Sequence, residues 1–317
     1  MARRFWPTLD PMRIALFGST GFFGGYLVDA LLAAGHEPVV LVREGSKAKV
    51  REAARCTLVT GDIGSATAIE ATLQGCHAAV YCIGILKEAP GRGITFKALQ
   101  LDGLVRVVDA ARRLGVGRLL LMSANGVKSP GTPYQATKFL AEQYALQSGL
   151  DVTVFRPSVI FGDPRGTTEF ATQLCRQMVA PPLPAVGFFS GSLKANRIVM
   201  SPVYARDVAD AFTQALGRPE TIGRTYVLGG PEVLSWTGIL HRIAVAAGKP
   251  GKLIVPMPVG LMRLAAAFLD WLPFFPVTRD QLTMLVEGNA AASADLEALI
   301  GRPAQPFTPA TLGYLAR

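Results

Sequence analysis

The chain has 317 residues, of which 50% are hydrophobic and 17% charged, and its formal net charge is +9. That length and apolar content exclude a disordered chain and suit one doubly wound domain with a smaller lobe. A basic balance is compatible with nucleic acid, an anionic membrane surface or a phosphorylated ligand. Because no Lys/Arg run has the density of a nucleic-acid arm, we expect no nucleic-acid partner.

The chain start and the cysteines indicate the compartment. Residues 1–11 lack the apolar h-region of a signal peptide, so we treat them as a leader before the first strand. The four cysteines have no metal-ligand spacing, and three of them lie in or beside apolar runs. We therefore expect reduced thiols in a cytoplasmic protein and no metal site.

Residues 14–24 predict a buried strand, a glycine-rich turn and the start of a helix. Gly18 would permit the tight turn, Gly21 would let a pyrophosphate approach the backbone, and Gly24 would let the helix pack near the strand. Three glycines alone also fit a loop that merely needs glycine, but their place between strand and helix favours a dinucleotide site. The predicted cofactor contacts in this stretch are Gly18, Ser19, Thr20, Gly21, Phe22, Phe23 and Gly24.

The end of the second predicted strand, residues 38–42, sets the expected cofactor preference. An acidic side chain there would accept the ribose 2′-hydroxyl bonds of NAD. This chain has Val42 and then Arg43, and since a cation suits a 2′-phosphate, we expect NADP(H) rather than NAD(H). Lys47 supports that expectation and Glu44 opposes it, and a solvated loop charge at Arg43 is the alternative interpretation.

The next elements alternate between strand and helix. We expect strands at 57–59, 78–83 and 118–122, with a long amphipathic helix at 93–114. The alternation predicts an α/β fold with a Rossmann-like, doubly wound parallel sheet. Asp62 is expected either to accept from an adenine amino group or to cap the helix that starts near Ser65. Other predicted cofactor contacts at strand ends are Ile63, Ile83, Gly84 and Pro157.

Tyr134 and Lys138 follow the fifth strand and are four residues apart, so one face of a helix carries both. A nearby ammonium lowers the pKa of a phenol and makes it a usable general acid or base. Such a pair often merely decorates a helix surface. Its place after the fifth strand of a dinucleotide fold favours a catalytic role.

The organisation changes after a sixth predicted strand at 152–155. The elements expected beyond it are a helix at 168–179, a strand at 197–203, a helix from Arg206, a strand at 225–228, and a helix capped by Ser235 that ends at Ala247. The proline cluster 181–184 marks a departure from the sheet domain. We assign 12–162, with returning segments at about 196–229, to a nucleotide-binding domain. A substrate or partner lobe would comprise 163–195 and 230–317.

The segment 253–277 is strongly apolar and carries Trp271, Phe274 and Phe275. Prolines and charged residues interrupt it, which argues against a clean membrane span. A helix at 259–269 that lies on a partner or in a membrane interface fits better, and packing on its own domain is the alternative. We therefore expect a cytoplasmic protein that can be peripheral at the inner face of the membrane.

As a set, these motifs resemble the short-chain dehydrogenase/reductase superfamily, in its extended and atypical branches with NAD-dependent epimerases and dehydratases. The matching stretches fall within roughly residues 12–230: the glycine turn, Asp62-Ile63, Tyr134/Lys138, Arg156-Pro157 and 202–209. Within the superfamily, the chain looks most like the branch with the NAD(P)H-binding accessory subunit of respiratory complex I and its bacterial relatives. The cues are Ile83-Gly84, the short loop from Ser123 to Tyr134, and residues 278–282 followed by Asn289.

The resemblance implies a nicotinamide held near Tyr134 and Lys138, with Tyr134 as proton donor or acceptor and Lys138 on the ribose. It also implies a hydroxyl after the fifth strand that polarises a substrate carbonyl. Ala124 occupies that position and Ser123 precedes it. Ser123 is therefore the candidate third catalytic residue, and if it does not serve, the triad is incomplete.

Two functions remain open at this point. The first is an NADP-dependent oxidoreductase or epimerase that acts on a small carbonyl or sugar-type substrate. The second is a non-catalytic nucleotide-binding accessory or assembly protein, attached through 253–277 to a membrane surface or a respiratory-complex subunit. Tyr134 and Lys138 favour the first function, whereas Ala124, the basic charge and the apolar segment favour the second.

Overall fold

The computed structural model describes residues 10–190, 198–260 and 279–316. The chain divides into two compact units. The first comprises the described residues up to Pro157 together with Ala205–Tyr226 and Asp295–Arg302, and the second comprises the described parts of the remainder. Most of the expected leader, and the apolar segment beyond residue 260 with its three aromatic residues, lie outside the described residues.

The strands are β1 (Arg13–Phe17), β2 (Glu37–Val42), β3 (Thr57–Thr60), β4 (Ala78–Tyr81), β5 (Arg118–Met122), β6 (Asp151–Pro157), β7 (Ile160–Phe161), β8 (Ala185–Phe189), β9 (Val199–Met200), β10 (Val203–Tyr204), β11 (Thr225–Leu228), β12 (Leu234–Ser235) and β13 (Ile254–Pro258). Seven of them form one sheet in the order β11-β6-β5-β4-β1-β2-β3. The neighbours from β3 to β6 all pair in parallel. This confirms the predicted Rossmann-like α/β fold.

The register of the sheet brings several loops to one edge. Phe17 in β1 lies opposite Leu41 in β2 and Tyr81 in β4, and Tyr81 lies opposite Leu121 in β5. The chain therefore leaves these four strands at neighbouring points. In parallel sheets, ligands bind outside the carboxyl ends of the strands.

The helices are α1 (Phe22–Ala33), α2 (Ala66–Leu73), α3 (Gly103–Leu114), α4 (Pro133–Leu146), α5 (Phe170–Leu174), α6 (Ala205–Ala215), α7 (Trp236–Ala246), α8 (Arg279–Glu287) and α9 (Ala294–Ile300). In the first unit, α2, α3 and α4 share a core with one face of the sheet. Val152 and Val154 of β6 belong to that core, whereas the Phe155 ring contacts Phe212 of α6. Because side chains alternate along a strand, α6 and the α1 packed on it cover the opposite face.

The expected helix 93–114 is modified at its start. It begins at Phe96 and contains a π-helical turn, Lys97–Asp102, before α3. The buried Tyr81 hydroxyl donates to the Leu99 carbonyl at 2.5 Å, and a side chain at Gly103 would collide with that hydroxyl. The Tyr81 hydroxyl thus binds a backbone carbonyl within the π-helical turn. Such π-turns inside helices often occur near functional sites.

Other expected elements are shortened or divided. The helix expected at 168–179 is α5 followed by a π-helical turn, Cys175–Val179. The strand expected at 197–203 is split into β9 and β10 around Ser201-Pro202, where proline supplies no N–H for a ladder. The Ser235 cap is confirmed, since its hydroxyl accepts from the Gly238 N–H at 3.1 Å.

Buried charge holds the late segment Asp295–Arg302 in the first unit. Arg302 pairs with Asp207 and Asp210 of α6, each at 2.7 Å, and Asp207 is fully buried. In the second unit, aromatic side chains such as Phe161, Phe188 and Trp236 form a separate core. No helix within the described ranges is long and apolar enough to cross a membrane.

Candidate cofactor-binding and active site

The glycine-rich loop between β1 and α1 is fixed by close backbone contacts. Gly18 has φ +114°, and a Cβ there would lie 2.9 Å from the Cys82 sulfur and 3.0 Å from the Ile83 nitrogen. A Cβ at Gly24 would lie 2.1 Å from the Gly18 carbonyl oxygen. Real Cβ atoms do not approach other atoms so closely, so both positions require glycine for packing within the protein.

Gly21 differs from Gly18 and Gly24, because no described atom of the protein lies close enough to exclude a side chain there. It has φ −80° and is exposed, and a Cβ there would lie 3.5 Å from the nearest atom, an ordinary contact. Gly21 is the N-cap of α1, and no side chain caps that end of the helix. The space above Gly21 is therefore open to a ligand that meets the first N–H groups of α1.

Ser19 adds a second observation at the same helix end. Its side chain is buried, and its hydroxyl has no hydrogen-bond partner among the described residues. A buried hydroxyl without a partner is costly, and a phosphate oxygen would satisfy it. The open Gly21, the uncapped helix and the Ser19 hydroxyl together fit a pyrophosphate.

Arg43 lies exposed directly after β2, where the sequence predicts a 2′-phosphate contact. No described acidic side chain forms an ion pair with it. Glu44, whose charge argued against NADP, instead pairs with Lys47 at 3.0 Å. That pair offsets the negative charge beside Arg43.

Asp62 and Ile63 follow β3. The Asp62 carboxylate accepts from the Gly64 N–H at 2.9 Å, and the cap of α2 is Ser65, whose hydroxyl accepts from the Ala68 N–H. The expectation that Asp62 caps this helix is therefore wrong, because a shorter turn within 62–64 engages its carboxylate. Asp62 is exposed and Ile63 is buried.

Ile83 and Gly84 connect the glycine-rich loop to the Tyr/Lys helix. The Ile83 nitrogen packs against Gly18, and a Cβ at Gly84 would lie 3.7 Å from the Lys138 ammonium. We call residues 83–84 the ledge. The ledge thus has the glycine-rich loop at one side and Lys138 at the other.

Lys138 is 6% exposed, and its ammonium donates to the Met122 carbonyl at 3.1 Å. Burial lowers the pKa of Lys138 to about 8, against the opposing influence of Glu142 and Cys82, which raise it. Glu142 lies one helical turn further on, is fully buried and binds the Arg156 guanidinium in a two-pronged ion pair. Lys138 therefore lies in a buried site with one compensated acid nearby.

Tyr134 lies one turn before Lys138 in α4. Its ring packs edge-on against Phe96, with centroids 5.6 Å apart, and the Lys138 ammonium is 5.9 Å from the ring centroid. Burial raises the pKa of Tyr134. The expected lowering of this pKa by Lys138 is thus not found, because desolvation of the phenolate outweighs an ammonium that donates to Met122.

Ser123 directly follows β5, and its N–H donates to the Phe155 carbonyl of the neighbouring strand at 2.7 Å. Its side chain is 5% exposed, and its hydroxyl lacks a hydrogen-bond partner among the described residues. It lines a small cavity of about 10 Å³ together with Lys138 and Gln100. Ala124, the next residue, is half-buried.

Pro157 ends β6 and is buried. Its carbonyl accepts from the Asn125 N–H at 2.9 Å, so it fixes the loop after β5. Among the described residues, no group of three or more His, Cys, Asp or Glu side chains is placed to hold a metal ion, and the four cysteines are free thiols.

Two residues beside the site, Gln100 and Glu142, were not predicted from the sequence. Gln100 is buried, donates to the Ile85 carbonyl at 3.1 Å and accepts from the Thr137 hydroxyl at 3.0 Å. Glu142 is the buried acid next to Lys138. A carboxylate at i+4 from Lys138 was a visible signal for Glu142, but nothing in the sequence shows that the helix around Gln100 widens.

Comparison with known proteins agrees with this geometry. A family model described as NAD(P)H-binding matches residues 18–177, about half of the chain. Ceramide reductase of Caulobacter vibrioides is 27% identical over 81% of this chain and 78% of that protein. The mitochondrial NADH dehydrogenase [ubiquinone] 1 alpha subcomplex subunit 9 of Mus musculus is 24% identical over 94% of this chain and 77% of that protein.

One solved structure supports the fold. The UDP-glucose 4-epimerase of Thermus thermophilus in complex with NAD superposes with a TM-score of 0.71 and 20% identity, over 96% of this chain and 98% of that one. The predicted similarity to short-chain dehydrogenases/reductases and to a complex I accessory subunit is therefore confirmed.

Proposed function

Because the chain belongs to the NAD(P)H-binding family, we propose that it is an NADP(H)-dependent oxidoreductase that acts on a small carbonyl or hydroxyl compound. The observation that carries this proposal is the ledge, residues 83–84. A Cβ at Gly18 of the glycine-rich loop would lie 3.0 Å from the Ile83 nitrogen, and a Cβ at Gly84 would lie 3.7 Å from the Lys138 ammonium of α4. A cofactor that lies along the ledge from the open Gly21 would bring its reactive ring towards Tyr134 and Lys138.

Residues of this chain divide the work of such a site. The backbone at Gly21 and the Ser19 hydroxyl bind the pyrophosphate, and Gly84 leaves room for the ring beside Lys138. When bound, the cofactor supplies or accepts a hydride. Tyr134 gives a proton to the substrate oxygen during reduction and takes it back during oxidation. The Lys138 ammonium, 5.9 Å from the Tyr134 ring centroid, opposes part of the desolvation that disfavours the phenolate that remains.

The cofactor preference rests on Arg43. Its guanidinium is exposed at the end of β2, and the Glu44 carboxylate is engaged by Lys47. Guanidinium groups bind phosphate oxygens through charge-assisted, often two-pronged hydrogen bonds. A 2′-phosphate on the adenosine ribose therefore supplies the partner that Arg43 lacks within the described protein.

Binding and turnover test this function together. We expect fluorescence titration to show NADPH binding, and a panel of aldehydes, ketones and keto-sugars to contain compounds that accelerate NADPH oxidation. Binding without turnover across the panel would contradict the enzymatic role. Absence of NADPH binding would contradict the cofactor site itself.

A non-catalytic accessory role is the second candidate, and the position of Ser123 favours it. The hydroxyl that would polarise a carbonyl is buried beside Lys138, and Ala124 supplies none. In this role the chain binds the dinucleotide for stability and docks on an anionic membrane or a respiratory-complex subunit. Leu253 and Val255, at the start of the apolar segment, are 62% and 42% exposed.

A vesicle-binding experiment tests the membrane docking that this second role requires. We expect cosedimentation with phosphatidylglycerol vesicles, and a Leu253→Asp/Val255→Asp double variant to lose it, because charge at an apolar contact opposes burial in the interface. A variant with Leu114→Asp, an exposed leucine on α3, is the matched control. Equal sedimentation of all three proteins, or none of the wild type, would contradict docking through this surface.

A further inference from the structure

The hydroxyl of Ser123 faces the core of the first unit. Along β5, Leu119 and Leu121 point into the core shared with α4, where they pack with Ala141. Side chains alternate across a strand, and Ser123 continues the same parity. Its hydroxyl therefore enters the α4 side of the sheet, beneath Lys138.

Lys138 reaches the same place from α4. Its ammonium donates to the carbonyl of Met122, the peptide unit that joins Met122 to Ser123. Among the described residues this is the only hydrogen bond of an ammonium that carries three protons. The ammonium and the Ser123 hydroxyl are both left with unused hydrogen-bonding capacity in one buried spot.

The cavity between them has the size and the lining for one water molecule. Its volume is about 10 Å³, close to the minimum that a single water needs. Its polar walls are Ser123, Lys138, Gln100 and the Tyr81 side chain. A water there accepts from Lys138 and exchanges a hydrogen bond with Ser123, which gives the ammonium a second acceptor and the hydroxyl a partner.

We propose that Ser123 is a positioning residue for Lys138, acting through one internal water that hydrogen-bonds both side chains, and that its hydroxyl does not touch the substrate. This inference rests on the proposed function only in that Lys138 is taken as the partner of Tyr134. It assigns a water-binding site and removes Ser123 from the groups that polarise a carbonyl.

The charged and titratable groups around Lys138 determine how the water affects the pKa of its ammonium. Glu142, one turn away, and the Cys82 sulfur, beside Gly18, both favour the charged ammonium, and Arg156 compensates Glu142. Tyr134 lies one turn before Lys138. Burial lowers the pKa of Lys138, and a hydrogen-bonded water opposes that effect by solvating the ammonium.

The test uses Ser123→Ala and, as a control for the loss of a buried hydroxyl, Thr72→Val. The Thr72 hydroxyl donates to the Ala68 carbonyl within α2 and is distant from Ser123 in the sequence. Crystal structures would show whether a water lies within hydrogen-bond distance of Ser123 and Lys138. Nitrogen-15 lysine NMR would give the pKa of the Lys138 ammonium in the full chain. Neither measurement needs turnover.

We expect the water in the wild type and in Thr72→Val, and its loss in Ser123→Ala with a fall of about one pH unit in the pKa of Lys138. A cavity without water in the wild type would overturn the proposal. An unchanged Lys138 pKa in Ser123→Ala would overturn it too, even where turnover falls. If the wild type binds NADPH without turnover, the oxidoreductase function fails while both readouts still decide the role of Ser123.

Discussion

In the glycine-rich loop, residues 18–24, contacts closer than a side chain permits fix the conformation at Gly18 and Gly24. In α4, charged groups buried between helix and sheet fix the positions of Lys138 and Glu142. Backbone sterics leave a local sequence pattern, because only glycine fits. Buried charge leaves a weaker pattern, because the i+4 spacing of Lys138 and Glu142 is local but the Glu142 partner, Arg156, comes from β6. The two regions should therefore fail in different ways when mutated.

The largest effect is expected inside the loop itself. Gly24→Ala places a methyl group 2.1 Å from the Gly18 carbonyl oxygen, so we expect the free energy of unfolding to fall by about 3 kcal/mol or more. Gly21→Ala meets no such contact and should change stability by less than about 1 kcal/mol while it weakens NADPH binding. Urea denaturation and NADPH titration measure both. Equal stability of the two variants would contradict the division of roles among these glycines.

The corresponding substitution for α4 removes the ion-pair partner of the buried Glu142. Arg156→Met leaves the Glu142 carboxylate without its guanidinium, and we expect a loss of about 3 kcal/mol in the free energy of unfolding. Arg113→Met breaks the exposed pair with Glu70 and should cost less than about 1 kcal/mol. If both substitutions cost the same in urea denaturation, the Glu142 pair does not organise α4.

Cofactor selectivity gives a smaller effect. Arg43→Ala should weaken NADPH binding by about tenfold or more, because a charge-assisted hydrogen bond to phosphate is lost, and should barely change NADH binding. Lys49→Ala is the matched control, because Lys49 is an exposed cation at the end of the 3-10 turn Glu44–Lys49 that follows Arg43. Parallel losses for NADPH and NADH in Arg43→Ala would show that Arg43 does not bind a 2′-phosphate.

The smallest effect concerns pH and the opposite end of the sheet. His36 accepts from the Met12 N–H at 3.3 Å and is buried, and burial lowers its pKa below the ordinary 6.5. The folded state thus prefers the neutral ring, so this stabilisation is complete above pH 6.5 and is lost as pH falls through the lowered pKa. We expect the thermal midpoint to drop between pH 7 and 5.5, and less so in His36→Gln. An identical drop in both proteins would exclude His36 as the cause.

Sequence patterns were sufficient to predict the parallel sheet and the glycine-rich loop. The apolar run before Gly18 and the β5 run of leucines specify buried parallel strands, and the cap residue Ser235 marks the start of α7. Those features depend on neighbours within a few residues. They were therefore predictable from local periodicity and capping chemistry.

The interactions around Lys138 were harder to predict from the sequence. The expectation of a lowered Tyr134 pKa assumed that the ammonium acts on the phenol, but burial of the phenol outweighs it. The orientation of Ser123 depends on which face of β5 meets α4. The widened turn at Gln100 depends on Tyr81, which lies 19 residues earlier. Such contacts arise only once the sheet has assembled.

The central claim is that Tyr134, held beside the ledge, transfers a proton during reduction. The most direct measurement is the single-turnover rate of NADPH oxidation by Tyr134→Phe with a substrate that the wild type reduces, together with the Kd for NADPH. We expect the rate to fall by about a hundredfold or more with NADPH affinity unchanged, because only the proton donor is lost. A rate equal to that of the wild type would contradict the assignment of Tyr134 and, with it, the proposed active site.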